Sequence, residues 1–213
     1  MTVDDPIQPN VLFECGPVMP VTEPISISPW AGEVVKDLNG LIESGAKFHT
    51  IYADPPWTYR NRSSRGAAAN HYKVMAYDEI VLLPVQKLTH RHAHLHLWVT
   101  SSFLQEGLNL IEAWGFRYKS SFVWVKDKLG CGNYWRLSHE FLLLGVRGNL
   151  RFRDRSQRSW LEAKRFHHSH KPGIIRPIIE RVSPGPYLEL FGREVVPKSN
   201  WTIFGNQVEP RLF

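Results

Sequence analysis

From residue 48 onward, short apolar runs of strand length alternate with stretches that carry helical spacing. That alternation restricts what this chain can fold into more than any other feature. The strand-like runs are Phe48–Ala53, His96–Thr100, Ser121–Val125, Phe141–Val146, Tyr187–Phe191 and Trp201–Gly205. Apolar positions recur at helical intervals over Tyr77–Leu83, Phe103–Trp114 and Gly173–Val182. Strands separated by helices predict an α/β fold with a mostly parallel sheet covered on both faces. At 213 residues the chain is long enough to bury one sizeable core. Neither a GxGxxG nor a GxxxxGK[ST] motif occurs, so dinucleotide and P-loop sites lose support.

The first part of the chain reads differently. Pro6, Pro9, Pro17, Pro20, Pro24 and Pro29 recur without periodicity, which predicts an extended arm over residues 1–30 ahead of a domain over residues 31–213. No basic segment leads into an apolar one, and no apolar run is long enough to span a bilayer. Cys15 and Cys131 alone make no disulfide framework. An intracellular protein, cytoplasmic or nucleoid-associated and neither secreted nor membrane-bound, is expected.

The strand Phe48–Ala53 runs directly into Asp54-Pro55-Pro56-Trp57. In an open α/β sheet the carboxyl ends of the strands hold the ligand, so Asp54 is delivered to that edge. Each proline fixes its own φ, and Pro56 also biases Pro55 away from helix, so the turn stays extended. Neither proline has an N–H, which leaves a surface made mostly of acceptors, with the flat face of Trp57 beside it. Acceptors next to a stacking face suit an exocyclic amine on a flat base. An Asp-Pro-Pro turn is equally a tight loop when taken alone, so the stretches that follow it matter.

Asp54–Trp57 (DPPW), His168–Pro172 (HSHKP), Glu189–Arg193 (ELFGR) and Asn200–Gln207 (NWTIFGNQ) occur in that order. The ordered set resembles the DPPW-type adenine-N6 methyltransferases, the family of the messenger-RNA methyltransferase catalytic subunit with its bacterial and phage branch. The resemblance covers roughly residues 48 to 208. It implies a Rossmann-like fold in which the catalytic motif precedes the main cofactor-binding strand, and it implies S-adenosylmethionine as cofactor. It gives Asp54, Pro55, Pro56 and Trp57 the catalytic role, with Asp54 and the Pro55 carbonyl accepting the hydrogens of the adenine amine. Lys171 matches the lysine that pairs with the methionine carboxylate of the cofactor. Glu189, Phe191 and Arg193 match the strand and turn that cradle adenosine, while Asn206 and Gln207 match an amide pair on the ribose. Tyr72 matches a tyrosine near the methionine end, and Asp37 loosely matches an acidic residue that reads the cofactor's adenine. Where the messenger-RNA enzymes carry a histidine and an asparagine after that arginine, this chain has Val195 and Val196.

Several of these residues also have plainer readings. Lys171 before Pro172 fits the exposed start of a helix. Glu189 interrupts an apolar strand, and a buried carboxylate must be satisfied by something: ribose hydroxyls or a structural salt bridge. Asn206-Gln207 after Gly205 fits a polar turn as well as a ligand contact.

A net charge of +6 favours a polyanionic partner. Arg147, Arg151, Arg153, Arg155, Arg158, Lys164 and Arg165 crowd one segment with Phe152, Trp160 and Phe166 among them, a mixture suited to phosphates and bases. A solvated surface loop is the plainer alternative. Arg60, Arg62 and Arg65 follow Tyr59 after the DPPW turn, and the two basic segments are expected to flank Asp54 as a nucleic-acid channel, with Trp57 and Tyr59 stacking near the base. The loop through Gly66 to Tyr72 looks more like the bacterial and phage branch, which often modifies DNA, so DNA is expected over RNA. Gly130 to Arg136, ahead of His139-Glu140, resembles the family's subunit-interface loop and implies a homodimer or heterodimer through residues 130–139.

Histidines 90, 92, 94 and 96 alternate, and histidines 167, 168 and 170 cluster, yet no carboxylate or cysteine pattern completes a metal site, and none is expected. Two other functions remain open from sequence. One is methylation of the cytosine amine, against which Asp54 argues because such enzymes usually carry Ser or Asn before Pro-Pro. The other is a catalytically inactive partner subunit that binds nucleic acid, which typically loses the Asp or the Trp.

Overall fold

A computed structural model describes residues 28–58, 75–130, 134–164, 170–193 and 199–205. In chain order its elements are β1 (Val34–Val35), α1 (Leu38–Glu43), β2 (Phe48–Ala53), α2 (Tyr77–Val81), α3 (Val85–Leu88), β3 (Thr89–Val99), α4 (Leu104–Ala113), β4 (Arg117–Lys126), β5 (His139–Arg147), β6 (Trp160–Ala163), α5 (Ile175–Val182), β7 (Tyr187–Leu190) and β8 (Trp201–Phe204). The strands form one sheet in the order β1-β8-β7-β2-β3-β5-β4-β6. Only β5 runs against its neighbours, pairing antiparallel with β3 and β4, and every other pairing is parallel. The mostly parallel Rossmann-like sheet expected from the strand–helix alternation is therefore present. The strand carrying the DPPW turn lies directly beside β7, which comes far later in the chain.

Side chains alternate between two apolar layers. Leu95, Leu97 and Val99 of β3 join Ile51 and Ala53 of β2 under α1, α2 and α4. The intervening Trp98 joins Tyr52, Tyr187 and Trp201 in a second layer with Ile175 and Ile179 of α5. Helices thus cover both faces. Gly107 in α4 has a packing reason: a Cβ there would lie 2.4 Å from Val99 Cγ1, so glycine lets this helix sit close on β3.

The observed elements differ from the sequence expectation in definable ways. β3 begins at Thr89 rather than His96, because His94 and His96 are buried on one strand face and behave as core residues despite their polarity. The helix expected over Tyr77–Leu83 stops at Val81, and Pro84 starts the separate turn α3. β1, α1 and β6 have too few residues to carry a readable period. The arm expected over residues 1–30 lies outside the described residues except at Ser28–Trp30, where the Trp30 carbonyl accepts from Thr202 Oγ1 at 3.0 Å. Among the described residues, no helix is long and apolar enough to cross a membrane.

The buried histidines are tied into one hydrogen-bonded chain. His94 Nε2 lies 3.2 Å from the Leu150 carbonyl, which requires it to be the donor and leaves Nδ1 as an acceptor. Ser183 Oγ, 2.9 Å from that Nδ1, then donates to it and accepts from His96 Nε2, also at 2.9 Å. Burial lowers His94 to about 4, opposed by the Leu150 carbonyl. It lowers His96 to about 3, with His94 adding to the effect. Both are therefore neutral when folded and take up protons on unfolding below about pH 6.5. Their contribution is complete above that pH and is lost as the pH falls, by about 3 kcal/mol for His94 by pH 4. Urea unfolding at pH 7, 5.5 and 4 is expected to show this loss. A His94→Asn/His96→Asn variant, weaker at pH 7, is expected to show a flatter profile over the same range.

Candidate active site

The carboxyl ends of β2, β3 and β7 meet at one edge, and Asp54 is the first residue beyond β2. Its amide donates to the Leu190 carbonyl at 3.5 Å, which ties the turn to the end of β7. Pro55 and Pro56 lie outside helix and strand, and their carbonyls are engaged locally. Pro55 O accepts from Trp57 N at 2.9 Å and Pro56 O from Met75 N at 3.1 Å. A carbonyl oxygen has two lone pairs, so Pro55 keeps one for a further donor. Trp57 stacks one face on Phe103, with centroids 5.3 Å apart and planes inclined by 14°, and its Nε1 donates to the Trp98 carbonyl. The indole is half-buried and held in place.

Lys171 reaches this edge from the loop before α5. Its Nζ lies 2.8 Å from Asp54 Oδ1, 3.3 Å from Glu140 Oε2 and 5.4 Å from the centre of the Trp98 ring. Burial by itself would lower the lysine, but Asp54 and then Glu140 outweigh it and hold it above its ordinary value. Burial would likewise raise Glu140, but Lys171 and Lys126 together bring it below the usual range. Lys171 is therefore a largely covered cation shared by two carboxylates, and the plainer reading of an exposed helix-start lysine does not hold.

Glu189, on β7, is satisfied by a cation. Arg176 of α5 grips it with Nε at 2.7 Å and Nη2 at 2.9 Å, a bidentate pair that fixes both side chains. Beside it, the Tyr52 hydroxyl accepts from Trp98 Nε1 at 2.8 Å, and burial, followed by the nearby Glu189 charge, raises its pKa well above the ordinary value. Phe191 follows with φ of 64°, a left-handed conformation that turns the chain sharply away from β7. A cleft opens between these elements, lined by Tyr52, Asp54, Lys171, Glu189, Phe191 and Arg193.

The structure thus brings together Asp54, Lys171, Glu189, Phe191 and Arg193, which the sequence placed in one site. Asp37 is not part of this cleft's lining: it is exposed beyond the carboxyl end of β1, three strands from β2, and caps α1 by accepting from Asn39 N at 3.1 Å. Tyr59, Arg60, Arg62, Arg65, Tyr72, Arg165, Asn206 and Gln207 lie outside the described residues. The basic segment does not line up along the Asp54 edge as a whole. Arg153 N donates to the Val182 carbonyl at the last residue of α5, at the end remote from Lys171, while Arg155 and Arg158 are exposed further along. Asp154 binds Arg181 and accepts from Ser156, so this stretch is a folded turn against the helix.

Four residues at the site were not singled out from sequence: Glu140, Lys126, Arg176 and Trp98. Glu140 arrives there because β5 is antiparallel, so its start lies at the edge where its parallel neighbours end. Arg176 had one available signal, since an apolar strand with a single buried carboxylate calls for a cation on the helix that covers it.

The edge also depends on close backbone packing. A Cβ on Gly205 would lie 2.0 Å from the Gly192 carbonyl oxygen, a contact no rotamer change relieves. Gly205→Ala is expected to force the β7 and β8 ends apart, costing roughly 1–3 kcal/mol in urea unfolding and weakening ligand binding in the cleft.

A mostly parallel sheet whose carboxyl edge presents an acidic turn next to an indole, with a cleft of mixed charge, defines a Rossmann-like α/β fold with its candidate site at that edge. The chain belongs to the MT-A70 family, whose model matches residues 48–207. It is 32% identical over 174 residues to the human N(6)-adenosine-methyltransferase catalytic subunit METTL3, across 76% of this chain and 28% of that protein. A Drosophila melanogaster N(6)-adenosine-methyltransferase MT-A70-like protein is 33% identical over 174 residues, covering 76% of this chain and 27% of its own. The Type II methyltransferase M.MunI of Mycoplasma sp is 29% identical over 178 residues, which span 73% of this chain and 76% of that one. The chain thus spans little more than a quarter of the two N(6)-adenosine methyltransferases, but its match to M.MunI covers most of both proteins.

Proposed function

We propose that this chain transfers a methyl group from S-adenosylmethionine to the N6 amine of adenine in nucleic acid, with DNA preferred over RNA. The observation that carries the proposal is the Asp54 carboxylate held at the sheet edge, where it lines the cleft ahead of Trp57. The adenine amine is a poor nucleophile because its lone pair is delocalised into the ring. Donation of its hydrogens to Asp54 and to the remaining lone pair of Pro55 O lets the nitrogen pyramidalise. The negative charge on Asp54 stabilises the positive charge that develops on nitrogen, an electrostatic contribution that grows toward the transition state.

The cleft chemistry fits the cofactor: cationic Lys171 and Arg193 suit its carboxylate, Glu189 its hydroxyls, and Phe191 its adenine ring. Bound there, it supplies a methyl group on a sulfonium, which needs no activation by metal or covalent enzyme intermediate. Asp37, Tyr72, Asn206 and Gln207 complete the proposed cofactor set by resemblance. Tyr59, Arg60, Arg62, Arg65 and Arg165 are proposed to meet the nucleic acid near the reacting base, and Arg153, Arg155 and Arg158, at the remote end of α5, to meet phosphates further along the strand. The preference for DNA rests on the resemblance of the 60–72 loop to the bacterial and phage branch and on the length match to M.MunI. Leu129, Tyr134 and Trp135 are strongly exposed around the β4–β5 turn and support a dimer through this region. Calorimetric titration with S-adenosylmethionine tests the cofactor site. Binding in the micromolar range, weakened at least tenfold by Arg193→Ala, is the expected result, and no binding would contradict the proposal.

A further inference from the structure

Glu140 and Lys126 bring charge to the Asp54 edge that the proposed reaction does not use. Lys126, Glu140, Lys171 and Asp54 form a line of alternating sign: Lys126 binds Glu140 Oε1, Glu140 Oε2 faces Lys171 at 3.3 Å, and Lys171 binds Asp54 at 2.8 Å. The side chains are only 13–20% exposed for Glu140, Lys171 and Asp54, so solvent screens them weakly. Two indoles underlie the line. Lys126 sits 4.9 Å over Trp124 and Lys171 5.4 Å over Trp98, and the two rings meet edge-to-face at 6.1 Å.

This arrangement creates a conflict. With Lys171 bound to it, Asp54 belongs to a neutral pair, and the ammonium opposes the positive charge that must develop on a substrate amine. Removing Lys171 into an apolar surrounding would strand a buried cation, which is costly. Glu140 resolves the conflict, because it already lies within ion-pair range of the same Nζ. We propose that Glu140 is a positioning residue. As a base enters, Lys171 is handed from Asp54 to Glu140, and Lys126 holds the receiving carboxylate in place. The ammonium is paired throughout, and Asp54 regains its full negative charge when the amine arrives. This hand-off rests on the methyltransferase reading, while the sharing of Lys171 by two carboxylates does not.

The sharing is tested first, without turnover, by thermal unfolding of the full chain. Asp54→Asn and Glu140→Gln each leave Lys171 one carboxylate, so each alone is expected to lower Tm modestly. The double variant leaves the ammonium unpaired and is expected to lose well beyond the sum, or to fail to fold while both singles fold. A Lys171→Met background is expected to abolish the excess. Additive losses would overturn the sharing. The hand-off is tested by methyl transfer at saturating substrate and cofactor. Glu140→Gln is expected to lower kcat roughly tenfold or more with cofactor affinity within about threefold of wild type, and Glu140→Asp to recover part of the loss. If Glu140→Gln does not fold, a kcat for Glu140→Asp equal to wild type takes its place as the contradicting result. Unchanged kcat in Glu140→Gln would overturn the hand-off. A wild-type protein that transfers no methyl group would overturn the functional reading and the hand-off with it, leaving the unfolding cycle to report on the sharing alone.

Discussion

Asp54→Asn is expected to abolish methyl transfer, lowering kcat/KM by about 10³-fold or more, while the protein stays folded and still binds its cofactor. Asparagine keeps the size and one acceptor oxygen of aspartate but removes the charge and substitutes a donor for the second oxygen. A single preorganised electrostatic contact of this kind carries roughly 10²–10³-fold in rate. Here the amide also presents N–H groups toward an amine that needs acceptors. Stability is expected to suffer much less than activity. Lys171 loses its 2.8 Å partner but keeps Glu140 at 3.3 Å, so its charge is not left unpaired. Steady-state kinetics beside thermal unfolding checks the separation. A large drop in Tm would show instead that Asp54 is mainly a structural anchor.

The second large effect is on stability. Arg176→Met is expected to destabilise the fold by about 3 kcal/mol, because Glu189 loses its bidentate partner. The carboxylate is almost completely buried on the central part of the sheet, and the arginine is itself mostly covered, so water cannot take its place. Glu189→Gln in the Arg176→Met background is expected to recover much of the loss, since it removes the stranded charge while keeping the shape. Urea unfolding of the two variants measures this. If Arg176→Met costs less than 1 kcal/mol, the pair is screened more than its burial implies.

What could be read from sequence at this site was local. The apolar run into Asp54 fixed both the strand and the edge on which the carboxylate stands, because strand length and two prolines act within a few residues. The stretch through Lys171 and the β7 segment through Arg193 were likewise placed at one cleft. What escaped depended on partners distant in the chain. Nothing near Lys171 announces that its closest carboxylate lies 117 residues away, nor that the reversal of β5 brings Glu140 beside both. Glu189 shows the limit clearly: its burial demanded a partner, but that an arginine supplies one required the position of α5. The histidines misled in a different way. Their polarity hid the first half of β3, because burial and the shared Ser183 hydroxyl keep His94 and His96 neutral inside the sheet.

The basic residues divide similarly. Their clustering in sequence was plain, but the turn of the chain after β5 carries Arg153 to the C-terminal end of α5, away from Asp54. Composition identifies a preference for polyanions, and it says nothing about which edge the charges face.

The most direct test of the central claim is to incubate the protein with labelled S-adenosylmethionine and unmethylated DNA or RNA in parallel, digest the products to nucleosides and identify them by mass. The predicted result is N6-methylated adenine nucleoside, in the DNA pool above the RNA pool, and absent with Asp54→Asn. N4-methylcytidine, or no methylated nucleoside in either pool, would contradict it.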